Sequence, residues 1–318
     1  MPLFDFSIDV LREYLPERTN ENDFDLFWND TLAELRRHPL NPRLTAIDCG
    51  LVAFDTFDVT FAGWNGEPIK GWFVTPKGAT GPLPCVVEYR GYGGGRGLLY
   101  DHLVYGSAGY ATLVVDSRGQ QSAETGDAHI FATGPHAAGF VTDGAQSPEV
   151  HYYRRLIGDC VRAIDTARTF RGVDPDRIVV SGISQGAGLA LATSGLVTDL
   201  AGVIADLPFL CHFRRASEIC AKGPYTEIVT FLDAQPHLIE QLFRTLSYFD
   251  GMNHAARTTA PALFSVGMMD DVCPPSTVFA AYNHYAGDKR LVVWHYSSHA
   301  VIPQQKSNHI DYLREVFN

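Results

Sequence analysis

Gly182-Ile183-Ser184-Gln185-Gly186 is the segment of this chain with the sharpest chemical content. It follows the apolar run 178–181 and precedes a stretch rich in alanine, glycine and leucine, the setting of a serine on a tight turn between strand and helix. Such a turn crowds the backbone on both sides of the serine, and glycine at 182 and 186 tolerates the crowding. The turn lifts the Ser184 hydroxyl to the N-terminus of the next helix, where backbone N–H groups and the helix dipole favour a developing negative charge. A serine hydroxyl is a weak nucleophile near neutral pH until a base accepts its proton, so a histidine and an orienting acid must follow along the chain. Asp270 lies just past the apolar run 262–266, and His299 lies at the end of the last strand region, giving the order Ser, Asp, His. Asp271 and Asp206 compete for the acidic role. His295 competes for the basic one, but it is expected within the strand, as a packed or surface residue.

An oxyanion formed at Ser184 needs a second donor besides the helix N-terminus. Arg90-Gly91-Tyr92-Gly93-Gly94-Gly95 follows the run 85–89, and its glycines let backbone N–H groups approach a ligand. The expected pair is the Tyr92 N–H and the Gln185 N–H. Neither a dinucleotide nor a phosphate-loop motif fits residues 91–97. His295 and His299 have the four-residue spacing of zinc ligands, but that spacing aligns two imidazoles on a helix and here it straddles a strand end, so no metal is expected. The six cysteines form no C-x-x-C pair and are expected to be reduced and mostly buried, with Cys273 close to the candidate acid.

The chain around these residues has 318 positions, 46% of them hydrophobic, enough apolar surface to order a large core. Lys and Arg number 25 against 36 Asp and Glu, and the net charge of −11 opposes binding to nucleic acid or to anionic membranes. No window approaches the ~20 apolar residues that span a bilayer. Residues 1–15 carry Asp5, Asp9, Arg12 and Glu13 instead of a basic start and an apolar run, so a cytoplasmic location is expected.

The elements that must position the site begin with a helix capped at Asn22 or Asp23, with Phe24, Phe27, Trp28, Leu32 and Leu35 at helical spacing up to Pro39. Strands at 57–61 and 69–74 flank Asn65-Gly66, a hairpin signal, and form an antiparallel edge. From Pro84 onward short apolar runs at 85–89, 111–115, 177–181, 202–205, 262–266 and 291–294 alternate with helical stretches at 98–107, 152–170, 185–195, 276–286 and 308–317. That alternation is the signature of a mostly parallel sheet covered on both faces. About fifty residues, 208–257, interrupt the rhythm, far more than a plain crossover needs, and their helical patterns at 213–220, 225–232 and 237–248 predict a cap. No linker divides the chain, so a single domain is expected, with 1–80 as an N-terminal extension.

The sequence resembles the cephalosporin C deacetylases and acetyl xylan esterases of carbohydrate esterase family seven. The likeness rests on Arg118-Gly119-Gln120, Ser184-Gln185-Gly186, Pro208-Phe209-Leu210-Cys211-His212-Phe213-Arg214-Arg215, Thr245-Leu246-Ser247-Tyr248-Phe249-Asp250-Gly251, and Asp270 followed by Cys273-Pro274-Pro275-Ser276-Thr277. The resemblance implies an α/β-hydrolase fold, deacetylation of short xylo-oligosaccharides and cephalosporins without a cofactor, and a hexamer. It also implies a Ser184, Asp270 and His299 triad with Tyr92 and Gln185 as the oxyanion hole. Tyr92 and Phe209 are expected to line a small acyl pocket, and Arg118 and Gln120 to brace loops. A broad carboxylesterase or serine peptidase of the same fold, or a non-catalytic binding protein on this scaffold, are the alternatives. One departure is Ala300, where the family usually has glutamate after the histidine.

Overall fold

The apolar runs become the middle of one nine-stranded sheet in the computed structural model, which describes residues 3–128 and 139–318. The strands are β1 (Arg43–Ala46), β2 (Phe54–Ala62), β3 (Pro68–Pro76), β4 (Leu83–Tyr89), β5 (Ala111–Val115), β6 (Val173–Ile183), β7 (Gly202–Asp206), β8 (Ala262–Gly267) and β9 (Lys289–Trp294). Their order is β1-β2-β3-β5-β4-β6-β7-β8-β9. Every pairing from β5 to β9 is parallel, and β1, β2 and β3 extend the sheet antiparallel at one edge.

Alternation along these strands builds two cores. Val87, Val180, Val203 and Phe264 face a large cluster that includes the helices Tyr152–Ala167 and Gln185–Ser194. Val86, Val179, Ile204 and Leu263 face the other way, against Tyr105 and the C-terminal helix residues Tyr312, Leu313 and Phe317. The strands are therefore apolar on both sides, which is why they appear in the sequence as continuous runs.

Several local expectations need correction. β1 has no apolar stripe, since all four of its residues are exposed, and only its pairing with β2 makes it a strand. The stretch 98–107 is not one helix: it holds a 3-10 turn at Leu99–His102 and a single turn of α-helix at Val104–Ser107. Asp23 stands at the N-cap of helix Phe24–Leu35, but its carboxylate accepts from the Tyr248 hydroxyl at 2.5 Å instead of capping. The strand β9 ends at Trp294, so His295 lies beyond it, exposed, with its ring against Tyr296. The Asn65-Gly66 signal is borne out, because both residues take positive φ (53° and 75°) in the turn joining β2 to β3.

Residues 208–257 supply helices Phe213–Ile219, Thr226–Ala234, Ile239–Ser247 and Gly251–Ala255. The last of these packs on helix Gln185–Ser194: a Cβ on Gly195 would lie 2.8 Å from the His254 carbonyl, and Ser194 bonds Thr258 at 3.1 Å. The N-terminal helix Phe24–Leu35 holds the segment from outside. Trp28 Nε1 donates to the Tyr248 carbonyl at 2.9 Å, and Phe27 meets the Tyr248 ring at 4.7 Å.

A charged group organises the loop after β5. Arg118 has no solvent exposure, and its Nε and Nη2 donate to both oxygens of buried Asp159 at 2.6 and 2.9 Å. Its Nη1 donates to Asp127 and Glu67 at 3.0 and 2.6 Å. Removing one partner from such a buried pair strands the other charge, which costs far more than the pair contributes. Asp159→Ala is expected to lower unfolding free energy by about 3–5 kcal/mol, measured as a shift of the urea midpoint at unchanged slope.

Candidate active site

Ser184 joins β6 to helix Gln185–Ser194 with φ 57° and ψ −119°, a conformation that an L-residue holds only under constraint. The constraint is close backbone packing. A Cβ on Gly182 would lie 2.1 Å from the Gly186 carbonyl carbon, and one on Gly186 would lie 2.2 Å from the Tyr89 carbonyl oxygen. Ser184 is also tied at both backbone ends: its N–H donates to the Asp206 carbonyl at 2.9 Å, and its carbonyl accepts from Phe209 N–H at 3.0 Å. The glycines expected from crowding are thus required by the distances.

The structure brings Ser184, His299 and Asp270 together from the carboxyl ends of β6, β9 and β8. His299 Nδ1 lies 2.8 Å from Asp270 Oδ2, and His299 Nε2 lies 3.0 Å from Ser184 Oγ. An ionised carboxylate can only accept, so Nδ1 carries the proton and Nε2 is left to accept from the serine hydroxyl. Asp270 is fully buried, and its Oδ1 accepts from the amides of Val272 and Cys273 at 2.9 and 2.8 Å, which fixes the carboxylate plane.

The rival residues are engaged elsewhere. Asp206 is buried and accepts from His309 Nε2, Gln305 Nε2 and Ser265 Oγ at 2.8, 2.8 and 2.6 Å, well occupied without His299. Asp271 pairs with Lys222 at 2.9 Å. Ala300 is exposed, and the Asp270–His299–Ser184 hydrogen bonds form without a glutamate at that position.

Two amides are candidates for the oxyanion: Gln185 follows Ser184 directly in sequence, and Tyr92 follows Gly91, which lines the same cavity as Ser184. Among the described residues neither the Tyr92 N–H nor the Gln185 N–H donates to another group. The glycine loop that carries Tyr92 is fixed from behind, with Gly93 N–H donating to Gln120 Oε1 at 2.7 Å and Gly95 N–H to Ser122 Oγ at 2.8 Å. Gln120 also donates to Gln185 Oε1 at 2.8 Å, and Tyr153 OH donates to the same oxygen at 3.1 Å. The bracing roles expected of Arg118 and Gln120 are therefore observed: Gln120 spans from one amide-bearing segment to the other. Sequence reasoning missed Tyr153, which comes from a helix with no motif of its own.

Phe209 is fully buried, edge-on to Tyr225 at 4.4 Å and to Tyr92 at 6.0 Å. A cavity of about 420 Å³ opens at Ser184 and is lined by Arg90, Ile183, Val301 and Lys306 among others; neither Tyr92 nor Phe209, expected to line an acyl pocket, is among its lining residues. Ligand atoms of Asp270, Cys273 and His299 lie within 4.8 Å of one another, the separation of a metal site. The donor set does not fit a metal: both Asp270 oxygens already accept from N–H groups, and burial pushes the Cys273 thiol up, keeping it protonated. All six cysteines are free, with Cys49 and Cys220 half-buried and the other four buried.

The model of the acetyl xylan esterase family matches residues 1–316. The chain belongs to that family of carboxylic ester hydrolases. It is 42% identical to an acetyl xylan esterase from Paenibacillus sp. R4, covering 98% of this chain and 99% of that one with a TM-score of 0.92. It is 30% identical to acetyl xylan esterase 1 from Thermoanaerobacterium sp. JW/SL YS485, covering 99% and 100% with a TM-score of 0.92. It is also 27% identical over 301 residues to the acetyl esterase Axe7A of Xylanibacter ruminicola, and the match covers 92% of this chain but 66% of that relative's length. An acylaminoacyl peptidase from Pyrococcus horikoshii, 16% identical with a TM-score of 0.60, shares the fold alone. The fold of this acetyl xylan esterase family member is the α/β-hydrolase fold. Because its elbow has no room for a methyl group, Gly186→Ala is expected to cost about 2–3 kcal/mol of stability, checked by thermal melting of the purified variant.

Proposed function

We propose that this chain is a serine esterase that removes acetyl groups from acetylated xylo-oligosaccharides, with cephalosporin C as a further substrate. The observation that carries the proposal is the hydrogen-bonded series Asp270–His299–Ser184, with undonated amides at Gln185, next in sequence, and at Tyr92 in the loop after β4. In this mechanism His299 Nε2 takes the Ser184 proton while Asp270 stabilises the imidazolium through Nδ1. Ser184 Oγ attacks the acetyl carbonyl, and the oxyanion rests on the N–H groups of Gln185 and Tyr92. His299 returns the proton to the departing alcohol oxygen, leaving an acetyl ester on Ser184. Water, deprotonated by His299, then attacks that ester, and His299 returns the proton to Ser184 Oγ as acetate leaves. No step calls for a metal or a cofactor.

Tyr92, next to the cavity-lining Gly91, would limit the acyl side and favour acetyl over longer chains, with the buried Phe209 packed against its ring. The proposal takes the chain as one domain, with 1–80 an N-terminal extension and 208–257 a cap insertion. It also includes a cytoplasmic location and a hexamer, the latter checked by sedimentation. Among the described residues no helix is long and apolar enough to cross a membrane.

Ser184→Ala is expected to lower kcat on p-nitrophenyl acetate by about 10⁴-fold or more with the fold retained, and Asp270→Asn by about 10⁴-fold. Near wild-type hydrolysis by Ser184→Ala would sink the assignment. Acetate release from acetylated xylo-oligosaccharides and cephalosporin C, against butyryl esters and a peptide amide, is expected to favour the acetyl substrates; cleavage of the butyrate or amide at equal rate would favour the broad carboxylesterase or peptidase alternative.

A further inference from the structure

The Tyr92 amide sits in a loop that glycine makes pliant, with Gly91 before it, Gly93, Gly94 and Gly95 after it, and Gly93 at φ +73°. A donor that must meet a developing oxyanion within about 0.5 Å cannot depend on such a backbone alone. Gln120 and Ser122 hold the loop at Gly93 and Gly95, one and three residues past Tyr92. Tyr92 itself is gripped by its side chain. Its hydroxyl donates to Glu227 Oε1 in a short hydrogen bond and accepts from the amides of Gly139 and Phe140 at 3.3 and 3.1 Å. Glu227 Oε2 accepts from the Val141 amide at 3.1 Å. The ring is flanked edge-on by Phe140 at 5.7 Å and Phe209 at 6.0 Å, and the Phe209 amide donates to the Ser184 carbonyl.

We propose that Glu227, on helix Thr226–Ala234, is a positioning residue for the oxyanion hole: by anchoring the Tyr92 hydroxyl it sets where the Tyr92 backbone N–H points. The inference rests on the reading of Tyr92 N–H as an oxyanion donor. One carboxylate joins three segments that are distant in sequence, the 91–95 loop, the 139–141 backbone and the helix from 208–257. Each of its oxygens is used by a different one of the first two. Burial pushes the Glu227 carboxyl up, and burial together with Glu227 raises the Tyr92 phenol, which therefore keeps its proton and remains the donor. Loss of the carboxylate frees the Tyr92 ring, removes the acceptor of the Val141 amide, and lets the loop drift without touching Ser184, His299 or Asp270.

Glu227→Ala, Glu227→Gln, Tyr92→Phe and the double variant Tyr92→Phe/Glu227→Ala test this in the full chain. The readouts are kcat and KM on p-nitrophenyl acetate, the Kd of methylboronic acid, whose tetrahedral adduct on Ser184 mimics the transition state, and thermal melting. A whole oxyanion donor is worth about 10²–10³ in kcat, so a displaced one is expected to cost Glu227→Ala about 10- to 100-fold in kcat with KM changed by less than about threefold. Boronate affinity should fall by the same factor, Glu227→Gln should recover part of the loss, because its amide oxygen accepts from the Tyr92 hydroxyl while its NH2 cannot accept from the Val141 amide, and the double variant should be no slower than the slower single variant. Wild-type kcat in Glu227→Ala with only a lower melting temperature, or multiplicative losses in the double variant, would overturn the inference. Should Glu227→Ala fail to fold, Tyr92→Phe decides: a fall in kcat of about 10- to 100-fold with a matching loss of boronate affinity supports the inference, and wild-type kcat overturns it. If instead wild type takes up no boronate and Ser184→Ala stays active, the reading of the site itself falls, and the inference falls with it.

Discussion

Backbone contact between the Ser184 elbow and strand β4 is the constraint on which the rest of the site depends. Gly186 passes so close to the Tyr89 carbonyl, and Gly182 so close to Gly186, that neither position has room for a Cβ. This approach holds Ser184 at φ 57°, a strained value that costs of order 1–3 kcal/mol. The strain is offset by hydrogen bonds at both ends of the residue and by the two cores that clamp β4 and β6. In return Ser184 and Gly91 of the loop after β4 line one cavity, with the first turn of the helix directly after the serine.

Around that point, packing assigns different work to chemically identical groups. Asp206, Asp270 and Asp271 all lie at or just past strand ends on the carboxyl edge of the sheet, yet they serve three purposes. Asp206 ties the end of β7 to the C-terminal helix through His309 and Gln305. Asp270 holds His299, and Asp271 pairs with a lysine on the segment 208–257. The buried Arg118 shows the same principle at a distance. Its bonds to Asp159, Asp127 and Glu67 fix the turn from which Gln120 reaches both amide-bearing segments. Electrostatic satisfaction of a buried cation is thus coupled to the shape of the site.

The legible parts of the fold were those whose local pattern and tertiary environment agree. Central strands buried on both faces appear as apolar runs, and helices 152–167 and 185–194 form within the stretches 152–170 and 185–195 that the sequence marked as helical. β1 was illegible because an exposed edge strand is made by its partner's hydrogen bonds and carries no stripe of its own. The stretch 98–107 has apolar spacing suited to a helix, but Gly97, Gly106 and the approach of the segment to β3 leave only short turns there. Asp23 has the right type for a cap, and a tyrosine more than two hundred residues away took its carboxylate instead. Among candidate site residues, Ser184 came with a motif, while Glu227 and Tyr153 came from ordinary helices and became visible only through their contacts.

By itself the sequence determined the chemistry on offer: a serine on a glycine-flanked turn, an acid and a histidine in the required order, and a parallel sheet to carry them. Those features are local or follow chain order, so residue type and spacing suffice to encode them. Only the tertiary structure decided which of three aspartates meets His299, that His295 lies exposed against Tyr296, and that one glutamate grips Tyr92. These choices depend on distances between segments up to 135 residues apart, and such distances are set by how the layers pack rather than by any pattern along the chain.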